Sequence, residues 1–423
     1  MNPMIVAGIL FVVSYVLLLA LPKGRAWVAL AGGLSFILAG ILPVSDIIST
    51  IDWNVLMMIG GTMGLVALFI DSRMPNLLAD ILLEKISTVR AAMVALALFA
   101  GIISAFIDNV ATVLMIAPVA LAIAKRLDQS PVPMVIAIAV SSNLQGAATL
   151  VGDTTSILLG AAAGMDFMDF FWYQGRPGIF WVVQAGAVLS ALILYWLFRD
   201  RKETVDAGAR TEVTDYVPAV LLVGMVALLA AASFIPGKPA LTNGIICVVL
   251  FAIGLIYEIS RQGSGIFRPT MEQVDIQTLL QLTGIFLIVG GVQASGLLDV
   301  IAGMFVKLSG GNLFIAYSLI LWGSVLCSAF IDNIPYVAAM LPVTAGISAT
   351  LGVEPTLLYF GLLIGATLGG NLTPVGASAN ITGIGMLRTA GHDVSNKDFM
   401  RIGVPFTLTA VMAGYILVWL LWA

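Results

Sequence analysis

The chain has 423 residues, 60% of them hydrophobic and only 10% charged. A mean hydropathy of +1.07 excludes a water-soluble protein, because apolar runs of about 20 residues recur along the whole length. The net charge of −4, with no basic patch, excludes a nucleic-acid partner and leaves the lipid bilayer as the surroundings.

In chain order, residues 1–13 have no positive n-region and no small-residue cleavage site. They are expected to open a first crossing, not a removable signal. Apolar runs between polar breaks predict crossings at 4–21, 26–43, 54–70, 132–164 and 178–198. A polar linker at 199–215 follows, its charges read as a solvated face. Five more crossings are expected at 217–235, 241–259, 276–292, 356–386 and 402–421. Two further apolar stretches, 90–126 and 312–350, each hold an aspartate near the middle. Cys247 and Cys327 lie in apolar segments with no metal-ligand spacing; a disulfide between them has no sequence support. His392, the single histidine, lies in a polar loop and is read as incidental.

Charge decides how the two extra stretches run. If each returns to its starting side, sixteen of the nineteen Lys and Arg, Lys23 and Arg25 among them, fall on one side. Only Arg176, Lys238 and Lys307 fall on the other. A single net crossing per stretch removes the bias, so the same-side reading follows from the preference of cytoplasmic loops for positive charge. Both termini are then outside, in a multi-pass protein of the cell's inner (plasma) membrane. Each half makes an odd number of net crossings, so the halves are expected to be inverted relative to each other.

The expected fold is therefore an all-α polytopic membrane protein of two inverted-topology repeats, residues 1–211 and 212–423. Each repeat is expected to contain a re-entrant hairpin and a broken transmembrane helix. A hairpin, rather than two full crossings, suits a polar tip that needs a protein-lined cavity.

The repeat is written in the residues. The motif SAFIDN occurs at 104–109 and again at 328–333, an offset of 224. At the same offset, LQGAATLVG (144–152) lies over LGGNLTPVG (368–376). The second block belongs to runs longer than one crossing needs, each with a polar, Gly-rich centre. Such centres break helices and leave bare carbonyls at one cut end and bare N–H groups at the other. A carboxylate at membrane depth marks an ion or proton site. The candidate site gathers Asp108, Asn109 and Thr112 from one tip, and Asp332 and Asn333 from the other. Asp153, Thr154, Thr155 and Ser156 come from one helix break, and Thr373, Ser378 and Asn380 from the other. Na⁺ is expected at Asp108, Asn109, Asp332 and Asn333. For the hydroxyls and amides, plain capping of the breaks is the competing reading. The halves are unequal: Asp153 aligns with Ala377, and Thr112 with Tyr336.

These motifs resemble the ion transporter superfamily, in particular its arsenite permease/sodium–proton antiporter (ArsB/NhaD) group, close to the P-protein-like permeases. The resemblance covers nearly the whole chain. It implies paired hairpin tips, a homodimer and an elevator-like motion. In the related divalent anion/sodium symporters the tips carry Ser-Asn-Thr. Here they read Asp108-Asn109-Val110 and Asp332-Asn333-Ile334. Two acids beside a dianion are costly without a compensating cation, and no Lys or Arg falls in the inferred core.

The expected function is a secondary active transporter, not an enzyme, with no cofactor and with Na⁺ or H⁺ as coupling ion. Na⁺/H⁺ exchange follows most directly from the acids, and arsenite or antimonite efflux is nearly as direct. A Na⁺-coupled anion or dicarboxylate symporter and a passive ion channel stay open as alternatives. An intramembrane aspartyl protease would also need two acids, but its GxGD-type signature is absent.

Overall fold

The computed structural model describes residues 2–201, 203–204 and 210–423. Lys202 and residues 205–209 of the polar linker lie outside the described residues. The first half runs α1 (Pro3–Ala20), α2 (Arg25–Leu38), the single turn α3 (Ile47–Thr50), α4 (Trp53–Asp71) and α5 (Met74–Leu83). It continues through α6 (Val89–Ser104), α7 (Asn109–Arg126), α8 (Val132–Gly146), α9 (Thr154–Ala163) and α10 (Ile179–Leu197). The second half repeats the series: α11 (Val217–Ala232), α12 (Thr242–Gln262), α13 (Phe267–Gln273), α14 (Ile276–Ala294) and α15 (Leu297–Leu308). It ends with α16 (Leu313–Ser328), α17 (Asn333–Leu351), α18 (Thr356–Gly369), α19 (Ser378–Thr389) and α20 (Asn396–Trp422). Among the described residues, eight helices are long and apolar enough to cross a membrane.

Several sequence expectations change here. The run at 26–43 yields a helix of only 14 residues, α2. The amphipathic helices α5 and α15 emerge from segments read as connections. Both begin after a left-handed residue, Arg73 (φ 59°) and Gly296 (φ 73°), which turns the chain sharply out of the preceding helix. From α15 to α16 the axis bends by 113°. The fold is all-helical as expected, apart from a short hairpin, Trp172–Tyr173 paired with Arg176–Pro177, and a bridge between Thr88 and Thr204. The linker is not simply solvated. Arg210 pairs with Glu84, Thr211 bonds Asp80, and Asp215 pairs with Arg261. Both cysteines are free.

The helices pack as two groups. In the first, α2 lies on α14 and α4 on α12, with α1, α11 and α13 beside them. Their close approach uses the same device twice. Gly61 meets the backbone of Cys247–Val248, and Gly284 meets that of Ala29–Leu30, where a Cβ would have no room. In the second group α6 packs on α8, α16 on α18 and α10 on α20. Every residue of α18, and α8 from Met134 to Gly146, is buried. This is why both read as continuous apolar runs with no amphipathic stripe. Helices α5 and α15 touch both groups.

Candidate functional site

The two SAFIDN copies fold alike because Asp is a favoured N-cap. Helix α6 ends at Ser104, residues 105–108 turn, and Asp108 caps α7 by accepting from Val110 N (2.9 Å) and Ala111 N (3.2 Å). In the second copy Asp332 caps α17, accepting from Ile334 N at 3.2 Å. The residue matching Ala111 is Pro335, which has no N–H to give. In both copies Oδ1 takes these cap bonds, and Oδ2 of Asp332 is open to another partner. Arg25, at the start of α2, fills that place: its Nη1 lies 2.8 Å from Asp332 Oδ2. This corrects the expectation that no cation reaches the core. Arg25 is also tied to Leu18 O (3.3 Å), and Tyr15 Oη donates to Pro335 O at 3.0 Å.

Each tip is pinned to its broken helix. Thr149 Oγ1 donates to Ala105 O, and Thr373 Oγ1 to Ala329 O. The asparagines after the aspartates accept from the serines that open the motifs, Ser104 to Asn109 and Ser328 to Asn333. Helix α8 stops at Gly146 and α9 starts at Thr154; α18 stops at Gly369 and α19 starts at Ser378. Ser156 Oγ closes the first break on Gly146 O (3.0 Å). Asn380 Nδ2 closes the second on Gly370 O (3.1 Å) and Thr373 O (3.2 Å).

Between the two helix groups lies a cavity of about 430 Å³. The tips and breaks contribute Asp108, Asn109, Asp153, Thr154, Asp332, Asn333 and Ser378 to its wall. Helix α4 supplies an apolar wall of Met63, Val66, Ala67 and Ile70. The end of α13 adds Glu272 and Gln273, and the start of α14 adds its N-cap Asp275 and Thr278. Among the described residues, five carboxylates line the cavity and no Lys or Arg does, though Arg25 and Arg268 pair with Asp332 and Glu272 from outside the lining. Asp153 begins α9 without capping it; its Oδ2 accepts from Thr155 Oγ1 at 2.9 Å. No three acidic, His or Cys side chains among the described residues are placed to hold a metal ion together.

The remaining sequence candidates stand behind the wall. Thr155 Oγ1 meets Thr367 Oγ1 at 3.0 Å, while Ser156, Thr373 and Asn380 are engaged in closing the breaks. Thr112 is fully buried, and its hydroxyl has no partner. Sequence reading missed Asn143, Glu272, Asp275 and Arg25. Asn143 stood in the polar centre of its run, a usable signal; the charged three looked like ordinary loop residues.

Residues 15–365 match the profile of the family described as "CitMHS: Citrate transporter". The chain belongs to this citrate transporter family. An uncharacterized transporter of Mycobacterium tuberculosis is 32% identical over 426 residues, covering 98% of each chain. The human P protein is 26% identical over 486 residues, 93% of this chain and 57% of the other. Among solved structures, the YdaH transporter of Alcanivorax borkumensis, described as having an unusual topology, superposes with a TM-score of 0.63 at 15% identity, over 99% of this chain and 98% of that one. MtrF of Neisseria gonorrhoeae, from a class of antimetabolite efflux pumps, does so with a TM-score of 0.59 at 18% identity, over 92% and 84%. The protein is thus a multi-span membrane transporter of the citrate transporter family with a YdaH-like helical fold.

Proposed function

We propose that the cavity is the transport site of a cation-coupled secondary transporter, with Asp108 and Asp153 as the principal cation-handling groups and Asp332 as a third. The observation that carries this reading is a lining of five carboxylates, of which Asp332 and Glu272 are paired with Arg25 and Arg268 while Asp108, Asp153 and Asp275 have no basic partner among the described residues. Like charges held together in a partly dehydrated space favour uptake of Na⁺ or H⁺ and repel a free anion. Ion antiport of the ArsB/NhaD type, as Na⁺/H⁺ exchange or arsenite efflux, is the simplest chemistry for such a wall.

The reading extends to topology. The exchanged packing of α2 on α14 and α4 on α12, and the repeat offset of 224, support two inverted repeats, 1–211 and 212–423. Glu272 and Asp275 share a connection with Arg261 and Arg268, on the side richest in positive charge, so the cavity opens to the cytoplasm and both termini lie outside. A homodimer with elevator-like motion belongs to the same proposal.

A second reading draws on the family description: cation-coupled carboxylate transport, in which the anion enters already neutralised by cations. Purified protein in proteoliposomes separates the two. An imposed Na⁺ gradient that moves protons without organic anion supports antiport. Radiolabelled citrate uptake that needs Na⁺ or H⁺ supports the second reading. Cation-independent flux that never exceeds its own gradient contradicts both.

A further inference from the structure

The two tips differ in one respect that the repeat does not predict. Asp332 has a guanidinium partner, and among the described residues Asp108 has only backbone N–H groups. The basic residue closest to the start of α12, the counterpart of α2, is Lys238. It is committed elsewhere: its ammonium meets Asp166 Oδ1 at 2.6 Å, Ala232 O at 3.2 Å and Asn243 Oδ1 at 3.3 Å. Among the described residues, no basic side chain is seen on Asp108 as Arg25 is on Asp332.

Arg25 and Asp332 also belong to different helix groups. Arg25 stands on α2, in the group built from α1, α2, α4, α12 and α14; Asp332 caps α17, in the other. The pair lies at the cavity edge, its side chains 27% and 18% exposed. Arg25 does not itself line the cavity; it reaches the lining carboxylate of Asp332 through Oδ2, the oxygen that does not take the cap bond. A guanidinium at 2.8 Å and a bound Na⁺ or proton exclude each other on the same oxygen.

We infer that Arg25 is a tethered competitor for the coupling cation: by pairing with Asp332 it displaces the ion from the second tip and promotes release on the side to which the cavity opens. This rests on the cation-coupled reading above. The groups that bear on Asp332 are then Arg25 from α2 and the cavity acids Asp108, Asp153, Glu272 and Asp275. Asp108, with no competitor, keeps its cation more tightly. The two tips thus become a retaining site and a releasing site. Arg25 is a positioning residue here, acting through Asp332 and not on the transported species.

The test is Na⁺ binding to the purified full chain, followed by radioactive sodium, alongside proton uptake after an acid pulse and steady-state flux in proteoliposomes. R25Q is expected to bind the cation about tenfold more tightly, the effect of removing a competing unit charge, and to turn over more slowly. R25K retains the charge and is expected to stay close to wild type. R25Q/D332N is expected to lose the gain in affinity. A purely structural role for Arg25 predicts weaker binding in R25Q and no reversal in the double variant. Unchanged or weaker cation binding in R25Q, or a gain that persists without Asp332, overturns the inference while leaving the transport reading intact. A wild-type protein that takes up neither Na⁺ nor protons overturns both.

Discussion

Asn143 and Asn371 join the two helix breaks directly. Asn143 Nδ2 donates to Asn371 Oδ1 at 3.1 Å and to Thr367 O at 3.0 Å, while Asn371 Nδ2 donates to Val140 O at 2.9 Å. Asn143 Oδ1 in turn accepts from Asn109 Nδ2 at 3.0 Å. A chain of amides therefore runs from the first tip, through the first break, into the second. Position 371 corresponds to Ala147 and position 143 to Thr367, so the link is a departure from the repeat and not a product of it.

Cutting this link leaves buried amides without partners. N143A and N371A are each expected to destabilise the protein by about 1–3 kcal/mol. Thermal unfolding in detergent should show a lower Tm for both, and a double-mutant cycle should show a coupling of about 0.5–3 kcal/mol. Strict additivity would mean that the two breaks are independent.

Gly152 and Gly376 bring the backbone of each break against the backbone of its tip. A Cβ on Gly152 would sit 2.7 Å from Gly146 O, 2.9 Å from Ala105 O and 3.0 Å from Ser104 O. On Gly376 it would meet Gly370 O at 2.6 Å and the carbonyls of Ala329 and Ser328 at 2.8 Å. The obstacles are backbone, which cannot swing away. G152A and G376A are each expected to cost about 1–3 kcal/mol and to abolish flux, because each moves the tip off its helix. Wild-type transport by either variant would separate the tip's position from function.

The linker between the halves is held by Arg210, whose Nε and Nη2 reach Glu84 at 2.5 and 2.6 Å. The hydrogen bond from Arg210 holds the Glu84 carboxyl below its ordinary 4.5. A lowered carboxylate stabilises the folded contact above the ordinary value and loses that effect as pH falls through the lowered one. Protection of the amides across residues 210–215, taken relative to their intrinsic exchange rates at each pH, is therefore expected to fall on acidification past that range. E84Q should show the faster exchange already at neutral pH, with little change in Tm because the pair is exposed. Exchange indifferent to both changes would show that the bond to Asp80 and the Arg261–Asp215 pair suffice.

Much of this arrangement is legible in the residues. The duplicated SAFIDN motif marks both tips, and the Gly-rich centres mark both breaks, because Asp capping and helix interruption are local properties of short sequences. The pairing of Asp332 was not legible, because only the fold brings Arg25, three hundred positions away, to its Oδ2. Asp275 and Glu272 were illegible for a similar reason. As caps and loop charges they look like those at any helix start, and tertiary packing alone turns them toward the cavity. Helices α5 and α15 were missed because they are short and amphipathic, so a search for long apolar runs passes over them. Thr112 shows the opposite error: one helical turn beyond Asp108, it looks like a ligand but faces the protein interior.

The most direct measurement is cation-driven flux in proteoliposomes, comparing wild type with D108N and D153N. Asparagine keeps the size and the capping oxygen but removes the charge. Wild-type flux is expected to respond to an imposed Na⁺ or proton gradient. D108N is expected to insert and unfold like wild type, yet to lose at least about tenfold in apparent cation affinity, the effect of about 1.5–3 kcal/mol of lost charge-assisted binding. D153N is expected to do the same more mildly. Full ion coupling in D108N and D153N together would contradict the assignment of this acidic cavity as the place where the cation binds.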